Sequence, residues 1–372
     1  MATYTTSQLQ GMGTAGIALT SSAPYVFTCI NPGNSSYFVL ESNKDNNGTY
    51  NTSGSTFGFP CASGSWVDNT VGGLVSDKYI MGCVIPPGTS SVVFTPSATT
   101  LATRYNFRGT GTFSMDTFSP SSSLFASGEK GAWFDASDLT TLFQDSAGTI
   151  PVTTVGQKVG KWLDKSGNNN HAVQATLANQ PTYQIDPEGN PNVTFTRAAT
   201  TQLVTPSINF TGTAQMMVCI GVNVLESGSA GVALELGTSV ASVNGSFSIG
   251  APSSTADHSV NLRGTSTLNA RVANVVDGDD IITGLFDISQ ATKELQLIPI
   301  LNFTQLTGSQ ITWTGTTAGT GNFGNYPLYI GAEGASRTLP YGGKIYSIVV
   351  RGALTNTLQV YQTEAYTDSR QD

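Results

Sequence analysis

The sequence predicts an all-β chain: a β-sandwich at the N-terminus, a larger sandwich after it, and a short helix at the C-terminus. Three observations carry this. Asp, Glu, Lys and Arg make up 11% of the residues, and 41 glycines with many Ser, Thr and Asn residues take their place. Thr suits strands, Gly and Asn suit turns, and long surface helices lean on the charged residues that are scarce here. Short apolar runs recur along the chain, each bounded by a turn signal. The length of 372 residues fits two or three domains of about 100–200 residues each.

Residues 1–16 are polar, end in Gly11-Met12-Gly13-Thr14-Ala15-Gly16, and read as an arm that a partner must order. Strand-like runs follow at Tyr25–Ile30, Tyr37–Leu40, Tyr79–Ile85, Ser91–Thr95 and Arg104–Arg108, separated by breakers such as Asn31-Pro32-Gly33-Asn34 and Pro86-Pro87-Gly88. In the last run Tyr105 and Phe107 alternate with polar neighbours, the period of a half-buried strand. These runs define an N-terminal sandwich over residues 1–118. Ser119-Pro120-Ser121-Ser122-Ser123 has a linker's composition, so 119–130 is expected to be a linker and 131–372 the second domain.

The second domain opens on Trp133-Phe134-Asp135-Ala136-Ser137-Asp138-Leu139, where Ser137 is positioned to cap one helical turn burying Leu139, Leu142 and Phe143. Further strand runs include Met216–Val222, Val232–Leu236, Ser246–Ile249, Ile281–Phe286, Leu328–Gly331 and Lys344–Val350. The chain closes on Leu354–Tyr366, a helix with Leu358, Tyr361 and Ala365 on one face and Asn356 or Thr355 as its cap. No fixed-period repeat stands out.

Composition excludes several function classes. The net charge is −8, with 4 basic and 5 acidic residues in 1–120 and 12 and 19 in 121–372. No basic cluster exists for nucleic acid. No run approaches the ~20 apolar residues of a membrane-spanning helix. The first residues lack the basic and apolar regions of a signal peptide, so export by the usual route is not expected. Cys29, Cys61, Cys83 and Cys219 are widely spaced and are expected to be free thiols, as in a reducing cytoplasm.

Two stretches carry a family resemblance. Trp162-Leu163-Asp164-Lys165-Ser166-Gly167-Asn168-Asn169-Asn170-His171-Ala172 has a strand ending in Asp, a Ser-Gly-Asn turn and a resumed strand at His-Ala. Tyr341–Leu354 reads as a late strand leading to a closing helix. Together they resemble the concanavalin A-like, laminin-G-like sandwich family. Residues 133–139, with Leu142-Phe143-Gln144-Asp145 and Gly148–Val152, are similar to lectin-like domains of bacteriophage virion proteins. The resemblance spans 131–366 at its ends; between 195 and 325 it rests on strand pattern. It implies a concanavalin A-like jelly roll for the second domain.

Candidate chemistry is sparse. The family includes glycoside hydrolases, which need paired carboxylates, and Glu235 is the nearest candidate, with no second acid two or four residues away. Asp277-Gly278-Asp279-Asp280 reads as a solvated hairpin, the alternative being a weak Ca²⁺ site; no other cofactor is expected. Asp186 and Glu188 read as a solvated loop. His171 reads as a structural hydrogen-bonder and His258 as part of a polar loop, and no zinc spacing is present. Trp66, Trp313, Phe323, Tyr326 and Tyr341 lie in or near Gly-rich loops; the last four are the candidates for stacking on a glycan, against the alternative of half-buried packing residues.

The expected function is therefore non-enzymatic: a structural protein on the exterior of a phage virion, as capsid decoration, head fibre or tail fibre, displaying a lectin-like domain toward host-surface glycans. The alternative is a glycan depolymerase. The expected partners are other virion proteins, through the arm and first domain, and further copies of the chain, as a trimer by analogy with virion appendages. The expected place is the virion surface, after assembly in the host cytoplasm.

Overall fold

The computed structural model describes residues 119–252, 257–272 and 278–371, with the strands of the first 118 residues. The chain divides into two compact units, Met1–Phe118 and Ser119–Asp372.

The first unit contains two four-stranded antiparallel sheets. One runs in the order Ile17–Ala18, Arg104–Arg108, Tyr37–Asn43, Lys78–Val84; the other runs Thr56–Gly58, Ser91–Thr95, Tyr25–Ile30, Thr112–Thr117. The five runs legible in the sequence each form a strand. The arm before Ile17 and Trp66 lie outside the described residues.

The second unit is a sandwich of a ten-stranded and an eight-stranded antiparallel sheet. The strand Gln215–Val224 is central to the eight-stranded sheet, between Asp279–Asp287 and Gly343–Arg351. Its alternation explains its apolar reading. Met216, Val218, Ile220 and Val222 enter the core; Met217 and Cys219 face the other way and are also buried, because the closing helix Thr357–Asp368 covers that side. Gly221 has a reason to be glycine: a Cβ there would lie 2.8 Å from Cγ2 of Thr367 on the helix. Cys219 is a free thiol.

From the ten-stranded sheet the core receives Leu234, Leu236, Phe247, Ile249, Val260, Leu262, Leu268 and Ala270. Large rings fill the space between the sheets. Trp162 and Phe134 are fully buried with centroids 5.4 Å apart, and each such side chain contributes roughly 2–3 kcal/mol of hydrophobic stabilisation.

Two local expectations are corrected, and a third holds. Residues 119–130 are not a linker: Pro120–Leu124 is a short helix with Pro in its first turn, and Leu124 and Phe125 are buried in the second unit. Serine-rich composition hid the two apolar residues that anchor it. Arg351 secures it, donating from Nε to Leu124 O at 2.7 Å and from a terminal nitrogen to Glu129 at 2.9 Å. The turn after Asp135 is a 3-10 turn, Leu139–Thr141, capped by Asp138; Ser137 instead donates to Asp135. At the chain's end Asn356 accepts from Gln359 N at 2.9 Å, the expected helix cap, while the side chains of Leu358, Tyr361 and Ala365 lie outside the described set.

The Asp164–His171 turn takes the form its sequence implies. Asp164 accepts from Trp133 N, Ser166 N, Ser166 Oγ and Asn170 N, all at 2.8–2.9 Å. Gly167 has φ +92° and Asn169 φ +59°, the left-handed region open to Gly and tolerated by Asn. His171 accepts from Asp164 N through Nδ1, and burial, helped by Lys161, lowers its pKa.

Candidate functional site

The four aromatic candidates do not form one platform. Phe323 is 1% exposed and packs edge-on to Phe286 in the core. Tyr341 is fully buried, and its hydroxyl donates toward Asn223 O and Lys344 O, both at 2.9 Å. Neither ring is open to a sugar, so neither can stack on a glycan. Trp313 sits on the strand Ile311–Thr314 at the edge of the ten-stranded sheet, but its ring packs inward against the core, with Lys293 Nζ 5.4 Å from its centroid. Tyr326 is half-buried, and its hydroxyl donates to Asn244 O at 3.1 Å. The Gly-rich loops gave these rings the look of surface residues, yet Phe323 and Tyr341 are in the core and Trp313 and Tyr326 pack against it.

The acidic candidates are also tied into the protein. Asp277 lies outside the described residues. Asp279 accepts from Asn223 and Tyr346 at 2.8 and 2.7 Å. Asp280 accepts from Asn302 at 2.9 Å and lies 2.9 Å from His258 Nε2. His258 is not in a polar loop: it opens the strand His258–Arg263 and is 2% exposed. Asp186 is not solvated; it is buried, holding Asn190 N and the Tyr346 hydroxyl. No group of three metal-ligating side chains occurs among the described residues.

A different arrangement comes from register. On the ten-stranded sheet Tyr329 lies opposite Glu235, Glu235 opposite Ser248, Ser248 opposite Asn261, Asn261 opposite Asn269, and Asn269 opposite Thr314. The residues flanking each of the first five enter the core, as does Trp313 beside Thr314. By the two-residue period of a strand, this row lies on the outer face. One polar side chain thus projects per strand, at a spacing of about 4.8 Å. Asn269 donates to Asn261 Oδ1, and Asn261 donates to Ser248 Oγ and Ser259 Oγ at 3.1 and 3.2 Å. Exposure grows along the row: Glu235 and Ser248 are buried, Asn261 and Asn269 half-buried, Thr314 exposed.

Glu235 stands in the buried part of the row, next to Tyr329. Oε1 accepts from Val240 N at 2.8 Å and Oε2 from Gly334 N at 3.1 Å. Burial pushes its pKa up to about 8; nearby Glu333 adds to this and the two amides oppose it. A second acid therefore does stand near Glu235, brought by the loop that follows the neighbouring strand Leu328–Ile330 and out of reach of any spacing along one strand. Glu333 is itself held by the Ser239 and Thr338 hydroxyls at 2.9 and 2.7 Å. Both carboxyls fasten loops 238–240 and 334–338 to the sheet. The open part of the row, Asn261, Asn269 and Thr314, offers neutral amide and hydroxyl groups suited to hydroxyl-rich ligands and carries no acid–base pair.

No protein-family model and no curated protein matches the chain. Among solved structures it is similar to the CBM40 domain of a Ruminococcus gnavus IT-sialidase bound to α2,3-sialyllactose, at TM-score 0.32 and 13% identity, covering 41% of this chain and 83% of that one. It is also similar to the binding domain of botulinum neurotoxin serotype D/C, at TM-score 0.39 and 8% identity over 64% of this chain and 52% of that one. The receptor-binding domain of botulinum neurotoxin D gives TM-score 0.39 and 7% identity over 56% and 51%. The chain spans about half the length of these toxin chains.

Proposed function

We propose that this chain is a non-enzymatic structural protein on the exterior of a phage particle, whose second domain is lectin-like and holds glycans at the open end of the Asn261–Asn269–Thr314 row. The uncharged row carries the binding reading: polar groups fixed one per strand, with the nearby carboxyls committed to loop backbones and hydroxyls. The virion setting is supported by the likeness of residues 131–152 to lectin-like domains of virion proteins. The first unit and its arm would attach the chain to the particle, and copies would assemble as a trimer in the host cytoplasm. Mass spectrometry and electron microscopy of purified particles test the setting; a particle without the chain overturns it. A glycan array tests the binding: hits should be lost in Asn269→Leu, and an array without hits leaves an architectural role alone.

One observation favours a second reading, a depolymerase. Glu235 is a buried carboxyl with a pKa pushed up to about 8 and a second acid beside it, which is how a general acid is poised. Release of reducing ends from host polysaccharide, abolished by Glu235→Gln, would establish it. No release is expected.

A further inference from the structure

The seam between the closing helix and the eight-stranded sheet is polar. On the helix, Thr363 and Thr367 are fully buried and Glu364 is 2% exposed. On the sheet, Cys219, Thr283 and Ser347 are fully buried, with Cys219 and Thr283 opposite each other in register. The contacts beside Glu364 on the seam are long, and the short one, from the Tyr366 hydroxyl to Asp135 at 2.6 Å, lies two residues along the helix. Ser347 Oγ donates to Thr367 Oγ1 at 3.2 Å, and Cys219 Sγ lies 3.4 Å from the same hydroxyl. Gln371 donates to Val222 O at 3.2 Å. Glu364 Oε1 is buried and makes no hydrogen bond.

The groups around Glu364 do not compensate an ionised carboxylate. Strand Gln215–Val224 presents the Cys219 thiol, strand Asp279–Asp287 presents Thr283, and strand Gly343–Arg351 presents Ser347. The helix itself adds a second acid, Asp368, one turn on. Nearby cations are engaged elsewhere: Arg351 holds Leu124 O and Glu129, and Arg370 stacks on Tyr366, 4.5 Å from its ring centroid. Asp135 accepts from the Tyr366 hydroxyl and pairs with Lys165.

We propose that Glu364 is a proton-operated latch: protonated, it lets the helix close on the sheet, and ionised, it drives the helix off and opens the outer face over Cys219. A buried carboxylate with an unbonded oxygen is costly, whereas its neutral form is tolerated. Burial pushes the Glu364 pKa from 4.5 up to about 7; Asp368 adds to this, and the Thr283 hydroxyl opposes it from nearby, without hydrogen-bond geometry to either group's buried oxygen. Because the folded value lies above the ordinary one, the latch contribution is complete below pH ~4.5 and is lost as pH rises through ~7. From those two values the population of the open helix should rise about tenfold between pH 6 and pH 8.5.

The test uses the full chain. Cys219 is alkylated with iodoacetamide at pH 6 to 8.5, its peptide is quantified by mass spectrometry, and each rate is divided by that of the same cysteine in guanidinium-unfolded protein at the same pH. This removes the thiol's own pH dependence and needs no variant. The wild-type ratio should rise about tenfold over the range, and in Glu364→Gln it should stay level. A level wild-type ratio overturns the latch. So does a rise that persists unchanged in Glu364→Gln, which would mean another group opens the helix.

Discussion

At the scale of single residues, Asp164 shows how much structure one carboxylate can organise. Its four accepted hydrogen bonds tie the turn to Trp133, thirty-one residues earlier. Asp164→Ala should lower stability by about 1–3 kcal/mol, since buried amides lose their acceptor. Gly167→Val should cost about 1–3 kcal/mol through backbone strain at φ +92°, with nothing within 4 Å of the added Cβ to clash. Thermal melts read both, and neither change should selectively remove glycan binding. Binding lost at an unchanged melting temperature would make the turn a site. The turn was legible because its chemistry is local: Gly, Asn, Ser and Asp act on their own backbone neighbours. Asp186 and His258 were misread because their partners, Tyr346 and Asp280, lie 160 and 22 residues away, and nothing in the flanking sequence signals them.

At the scale of elements, strand periodicity was informative and strand register was invisible. Thr267–Val272 alternates perfectly in burial, although its run was not singled out in the sequence. That Asn269 lies beside Asn261, and Asn261 beside Ser248, depends on pairing that no one-dimensional pattern encodes. The inward turn of Trp313 was accessible: Ile311 and Trp313 share a strand face, and Thr312 and Thr314 share the other. Because the exposed end of the row is uncharged, its binding to neutral glycans should change less than about twofold between low and high salt. Titration calorimetry in 50 and 500 mM salt (about one and a half Debye-length halvings apart) reads this. A steep loss of affinity with salt would shift the contact to Arg263 or Arg271.

At the scale of the whole molecule, buried acids set the pH range of stability. Glu235 and Glu364 both have folded pKa values raised above 4.5, to about 8 and about 7. Their contribution is full below pH ~4.5 and is lost as pH rises through those values. Asp135 works in the opposite sense: hydrogen bonds from Ser137 and Tyr366, aided by Lys165, outweigh its burial and lower its pKa, so its contribution is lost as pH falls below the ordinary carboxylate range. Urea unfolding should therefore show greatest stability at mildly acidic pH. Glu235→Gln should flatten the alkaline fall, by on the order of 3 kcal/mol at pH 9. An alkaline fall unchanged in that variant would remove Glu235 as a cause.

The contact of Arg351 with Leu124 O has a mechanical consequence. A chain fastened through its first unit and pulled through a ligand on its second would feel tension at Ser119, where the second unit begins. The helix Pro120–Leu124 passes that tension through Arg351 to Gly343–Arg351, a strand paired along both sides. Gln359 of the closing helix holds Ser123 O at 3.0 Å from the other side. Force therefore meets several ladders of hydrogen bonds loaded together rather than an edge strand peeled one bond at a time. Optical-tweezer extension between a handle on the first unit and one at Thr314 should show the second unit yielding in one high-force step. Arg351→Ala should lower that force by letting residues 119–130 strip away first, and an unchanged rupture force would place the anchor elsewhere.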